Sequence, residues 1–187
     1  MLSGLLLQVS LVHSWPDRPW DWSGVGVATY SSEHYTVQGE DLLEVATSIL
    51  RDTPMPGYIA YTRGVLSARY DLEDLGDGSC ALTKGSVDLE VHQVFPVLRH
   101  AGNDELAAEW WETSQELYEH EMEHVRYAWL AGKQMWSAVS IRWEGPCDDL
   151  EEGTDWQLHG SIRARDYLNS TVDARPHKSR LLSPAYS

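Results

Sequence analysis

The sequence predicts an α+β fold in which a small antiparallel or mixed sheet packs against one long helix and one or two further helices. Two patterns carry this prediction. Val87, Leu89 and Val91 alternate with polar residues, which is typical of a strand with one face in the core and the other in water. After Asn103, a favourable N-cap, apolar residues recur at helical spacing as far as about residue 131.

Shorter elements are predicted on both sides of these two. The predicted strands are 34–38, 58–62 and 65–70, and the predicted helices are 40–51 and 154 to about 169. The residues between them are expected to form an acidic turn over 71–78 and an acidic loop over 145–153.

The chain is expected to form a single domain, because 187 residues with an apolar content of 42% can enclose one sizeable core. Residues 1–33 are rich in Trp, Ser, Gly and Pro, so they are predicted to be a loop-rich lead-in. The domain itself is predicted to span 34–170, and residues 171–187 are predicted to be a flexible tail.

The net charge and the hydropathy of the chain disfavour two kinds of partner, nucleic acid and the membrane interior. The formal charge of -15 disfavours nucleic acid, which needs a Lys/Arg surface. The apolar run at residues 1–12 lacks a basic start and is too short to span a bilayer, so no stable membrane insertion is expected, and both the cytoplasm and export stay open. Cys80 and Cys147 are expected to form one disulfide in an exported protein and two thiols otherwise.

The long predicted helix contains the pattern His-Glu-x-x-His at residues 120–124. Histidines four residues apart on a helix lie on the same face, so His120 and His124 can bind one zinc ion. Glu121 is then predicted to be the general base that takes a proton from a zinc-activated water. The alternative is a pair of core histidines with an unrelated glutamate between them.

The helical periodicity separates Glu121 from the other glutamates of this helix. With about 100° per residue, His120 and His124 lie on an apolar arc and therefore face inward. Glu121 falls between two apolar arcs, where an unpaired carboxylate would be costly. Glu123 belongs to a polar ridge that is predicted to face solvent. The members of this ridge are Glu105, Glu109, Glu112, Glu116, Glu119 and Glu123.

A catalytic zinc ion usually has three protein ligands, and the third is not fixed by the motif. The candidates are His92, His100, Asp148, Asp149, Glu151, Glu152, Asp155 and His159. His159 is predicted to be the third ligand because the last helix can fold back over the metal helix. Asp155, one turn earlier, could orient its ring, and Tyr167 is a candidate oxyanion donor.

The order of motifs resembles a bacterial family of inferred, secreted zinc-dependent proteases that is also known as a domain of unknown function. The resemblance covers roughly residues 35–168. It rests on Tyr35-Thr36-Val37-Gln38-Gly39, Gly57, Ala60-Tyr61-Thr62, Cys80, Phe95-Pro96, Trp111, Leu117, the residues 120–124 and His159-Gly160. It implies zincin-like chemistry, supports His159 as a ligand and suggests export.

The sequence thus predicts a zinc metallopeptidase that uses Zn²⁺ and acts on a peptide or protein. The strand around Val87–Val94 is expected to offer its edge to an extended substrate. Two alternatives stay open. The first is a zinc hydrolase of a non-peptide amide or ester, and the second is a binding protein whose zinc site is structural or vestigial.

Overall fold

The computed structural model describes residues 27–175 of the chain. Its elements in chain order are β1 (Val27–Gly39), α1 (Leu42–Asp52), β2 (Tyr61–Gly76), β3 (Ser79–Ala101), α2 (Asp104–Val139), β4 (Trp143–Pro146) and α3 (Cys147–Asp173). The predicted α+β class is confirmed, since a mixed four-stranded sheet is combined with three helices.

Strand β3 lies at the centre of the sheet, in the order β1-β3-β2. β1 runs parallel to β3, β2 runs antiparallel to it, and β4 pairs with its first residues. From Asp88 to Val94, β3 is paired on both sides at once, by β1 and by β2. The prediction that this segment offers a free edge to a peptide is therefore wrong, because its backbone groups already bind neighbouring strands.

The hairpin between β2 and β3 is tighter than predicted. The acidic residues 71–76 continue β2, and the turn itself is reduced to Asp77 and Gly78. Both turn residues have positive φ angles, 54° and 76°, which Asp-Gly pairs tolerate in two-residue hairpins. The acidic composition suggested a loop, but pairing with the start of β3 extends the strand.

The main core lies between the sheet and α2. Val87, Leu89 and Val91 are almost fully buried and pack with Val125 and Ala128 of α2. The alternation predicted for β3 is confirmed, since Glu90 between them is exposed. A second apolar cluster joins α1, β1 and the start of α2. Its buried members are Val37, Val45, Ala46, Ile49, Leu106 and Trp110.

The ends of the domain differ from the prediction. β1 begins at Val27, within the predicted lead-in, and α3 continues to Asp173, within the predicted tail. Val172 is only 1% exposed, so the start of the predicted tail is anchored in the core by this residue. Helix α3 also starts earlier, at Cys147, because the acidic residues predicted to form a loop occupy its first turn, where negative charge is favourable. Residues 1–26 and 176–187 lie outside the described part.

Cys80 and Cys147 form a disulfide that ties the start of β3 to the start of α3. The two cysteines are 67 residues apart in the sequence, so the bond closes a long loop that contains the whole of α2. Among the helices within 27–175, none is long and apolar enough to cross a membrane.

Candidate metal centre

His120 and His124 project from the same face of α2, one helical turn apart. Their side chains are 16% and 11% exposed, and their Nε2 atoms are 3.2 Å apart. The predicted inward orientation of both histidines is confirmed.

Asp173, the last residue of α3, completes the cluster. Its Oδ1 atom lies 3.1 Å from His124 Nε2 and 3.5 Å from His120 Nε2. The three side chains form a group that could hold a metal ion. Helices α2 and α3 pack against each other, and this packing brings the end of α3 to the middle of α2.

The structure does not bring His159 to this cluster, which corrects its prediction as the third ligand. His159 is exposed on α3, fourteen residues before Asp173, and a helix rises about 21 Å over that distance. The longer course of α3 explains the difference, because its C-terminal end, rather than its beginning, meets the histidines. Asp155 instead accepts a hydrogen bond from Tyr70, at 2.8 Å, and Tyr167 is 70% exposed.

Asn169 lies one turn before Asp173 on α3 and contacts the other side of the His124 ring. Its Oδ1 atom is 3.0 Å from His124 Nδ1. An amide oxygen only accepts hydrogen bonds, so a proton on Nδ1 of the His124 ring would satisfy this contact and leave the lone pair of Nε2 directed at the cluster. This is the arrangement by which an outer residue fixes the orientation of a metal-binding histidine.

Glu121 is buried beside the histidines, with 3% of its surface exposed. Burial raises the pKa of its carboxyl group, while a hydrogen bond from Thr62 and the proximity of His124 oppose that rise. Its Oε2 atom has no hydrogen-bond partner. A buried carboxylate oxygen without a partner is costly in a purely structural role.

Glu123 lies on the polar side of α2, as predicted, and binds Arg175 just beyond α3. Arg175 Nη1 donates a hydrogen bond to Glu123 Oε1 at 2.7 Å. Both side chains are partly exposed, so this ion pair contributes little stability by itself. It does hold the chain immediately after Asp173 against α2.

Sequence reasoning missed Asp173, Asn169 and Thr62. The sequence did contain an indication of the first two. Asn169 and Asp173 are four residues apart, so they would share a face of the last helix if that helix continued to residue 173. Thr62 gave no such signal, since it lies on a strand and meets Glu121 only through the packing of α2 on β2.

Residues 32–178 match the model of a protein family described as bacterial protein of unknown function (DUF922). The match contains His120, Glu121, His124 and Asp173. Neither the curated proteins nor the solved structures contain a chain that matches. Since the matched segment covers most of the sequence, the chain belongs to this bacterial family of unknown function.

Proposed function

We propose that this protein is a zinc-dependent hydrolase and that it acts as a peptidase. The observation that carries the proposal is the convergence of His120, His124 and Asp173 beside the buried carboxylate of Glu121.

The spacing of the three donor atoms fits a zinc ion. Tetrahedral coordination with bonds of about 2.0–2.1 Å separates neighbouring ligand atoms by about 3.3–3.4 Å. The measured separations of 3.1, 3.2 and 3.5 Å lie around that value. The contact of Asn169 Oδ1 with His124 Nδ1 also suits metal binding, because it favours the tautomer in which Nε2 is available to the ion.

The number of ligands favours a catalytic site over a structural one. Structural zinc sites are closed by four protein ligands, whereas catalytic sites have three and keep a position open. Within residues 27–175, the cluster contains three potential ligands, two histidines and one carboxylate. Glu121 adds a buried carboxylate that a structural or vestigial site would not need.

The residues around the site have distinct tasks in hydrolysis. When bound, zinc supplies Lewis acidity, which lowers the pKa of a water molecule toward 7 and polarises a carbonyl group. Glu121 accepts the proton of the attacking water and then transfers it to the leaving amine nitrogen. Asn169 keeps the His124 ring in its binding orientation, and burial shields Glu121 from bulk water.

A peptide substrate is proposed because two helical histidines with a glutamate between them are the arrangement of metallopeptidases. A non-peptide amide or ester would use the same chemistry. A panel of an unstructured protein, short peptides and small esters, tested on one preparation, separates these two substrate classes.

The decisive experiment combines elemental analysis with cleavage of an unstructured protein. The analysis should cover iron as well as zinc, since two histidines and one carboxylate also bind non-haem iron. We expect about one zinc per chain in wild type, and unchanged zinc but no cleavage in Glu121→Gln. A wild-type chain without zinc, or a fully active Glu121→Gln variant, would overturn the proposal.

A further inference from the structure

The central strand β3 buries a glutamine among its apolar residues. Gln93 is 0% exposed and continues the inward-facing series of Val87, Leu89 and Val91. An amide in such surroundings is costly unless both of its polar ends are hydrogen-bonded. The partners of Gln93 therefore explain why an apolar residue does not occupy this position.

Both ends of the Gln93 amide have partners, and these lie on different strands. The Tyr30 hydroxyl of β1 donates to Gln93 Oε1 at 2.7 Å. Gln93 Nε2 donates to Thr62 Oγ1 of β2 at 2.8 Å. The side-chain amide thus bridges β1 and β2 across β3, and Tyr30 determines that its NH₂ group is directed toward Thr62.

Thr62 connects this hydrogen-bonded bridge to Glu121. Because its oxygen accepts from Gln93, its single proton is available to α2. The hydroxyl donates this proton to the backbone oxygen of Glu121, at 3.2 Å, and its interaction with the Glu121 side chain opposes the rise in the pKa of that carboxyl group. The other end of that carboxylate, Oε2, is the buried atom without a partner. The sheet therefore holds the backbone of Glu121 through Thr62, and Oε2 of its carboxylate is left for a reacting group.

We propose that Thr62 and Gln93 are positioning residues for Glu121, and that the chain of hydrogen bonds from Tyr30 through Thr62 to the Glu121 backbone fixes the place of its carboxylate beside the histidines. This inference rests on the proposed function for its effect on catalysis. The hydrogen bonds themselves can be tested in protein without metal, so the two proposals can fail separately.

The variants are chosen to remove or to keep single hydrogen bonds. Thr62→Val replaces the hydroxyl by a methyl group of similar size, and Thr62→Ser keeps the hydroxyl. Gln93→Met removes the bridge while retaining an unbranched side chain. Thr113→Val is the matched control, because Thr113 is a buried threonine of α2 whose hydroxyl binds Glu109 O rather than Glu121.

The first measurement follows the Glu121 side chain by NMR and does not depend on enzymatic activity. In metal-free, ¹³C-labelled protein, we expect the side-chain carboxyl resonance of Glu121 to shift in Thr62→Val and Gln93→Met, and to stay near its wild-type position in Thr62→Ser and Thr113→Val. An unshifted resonance in both Thr62→Val and Gln93→Met would overturn the inference. Zinc binding in the same variants, measured by competition with a chromophoric chelator, should change less than about 3-fold, because metal affinities fall 10–100-fold when a true ligand-orienting partner is lost.

The second measurement uses zinc-loaded protein and fluorescein-labelled casein. We expect kcat to fall about 10–100-fold in Thr62→Val, as for other partners that orient functional groups, with KM little changed and activity rescued in Thr62→Ser. Equal kcat in wild type and Thr62→Val would contradict the inference. Should wild type fail to cleave casein, the carboxyl resonance still tests the inference, and only the proposed peptidase activity is contradicted.

Discussion

His124 Nε2 lies 3.1 Å from Asp173 Oδ1, so the middle of helix α2 meets the last residue of helix α3 at a single point. His124 is in addition held from its other side by Asn169 of α3. The candidate metal centre is therefore an interhelical site, although two of its three potential ligands belong to one helix. Five predictions follow from this arrangement and from the packing that supports it.

Asp173→Asn should weaken zinc binding more than loss of an outer partner does, that is, by more than about 10–100-fold. The reason is that it removes the carboxylate of a three-membered donor set. Titration with zinc against a chromophoric chelator measures the change. His159→Ala is the matched control on the same helix and should bind zinc as wild type does. If His159→Ala lost zinc while Asp173→Asn kept it, His159 rather than Asp173 would be the third ligand.

Asn169→Leu should reduce zinc affinity by about 10–100-fold, because the His124 ring loses the side-chain oxygen that contacts Nδ1 and orients it. Leucine has a similar shape, so the packing of α3 should be kept. The same chelator competition is the measurement. Ser170→Ala, at an adjacent exposed position, should leave the affinity unchanged, and an equal effect of the two variants would argue against a role of Asn169.

In metal-free protein, Glu121→Gln should raise the free energy of unfolding at neutral pH. Burial raises the pKa of Glu121 in the folded state, so the ionised form costs stability there, and this cost grows as the pH rises from the unfolded pKa through the folded one. The advantage of the variant should therefore shrink in mildly acidic buffer. Urea unfolding at both pH values measures it, and a variant less stable than wild type at neutral pH would contradict this reading of Glu121.

Removing the disulfide with Cys80→Ala and Cys147→Ala should lower the free energy of unfolding by about 2–4 kcal/mol, because the unfolded chain is released from a long closed loop. Urea unfolding with and without a reductant measures this. The reductant should destabilise wild type by a similar amount and leave the double variant unchanged. Insensitivity of wild type to the reductant would show that the bond does not stabilise the fold.

Gly85→Ala should destabilise the protein by about 1–3 kcal/mol, since an added methyl group has to be accommodated in a packed interface. A Cβ atom at Gly85 would collide with the backbone and side chain of Val139 at the end of α2. Gly153→Ala is the control, because a Cβ there meets nothing within 4 Å and alanine favours the helix. Thermal unfolding should move down for the first variant and up for the second.

The sequence by itself determined the features that depend on neighbours along the chain. Helical periodicity predicted that His120 and His124 share an inward face and that Glu121, unlike Glu123, is buried, and the structure confirms these placements. Alternation likewise predicted the buried face of β3. These predictions succeed because side-chain direction within one element follows from its period alone.

Only the tertiary structure decided which other elements reach that face. Asp173 and Asn169 become neighbours of His124 because α3 is longer than its acidic start suggested and its far end packs on α2. The two-sided pairing of β3 and the contact between Thr62 and Glu121 arise in the same way, from strand order and helix docking. Such contacts join residues far apart in the sequence, and the periodicity within one element does not predict them. The third potential ligand could therefore be found only once the helices were in place.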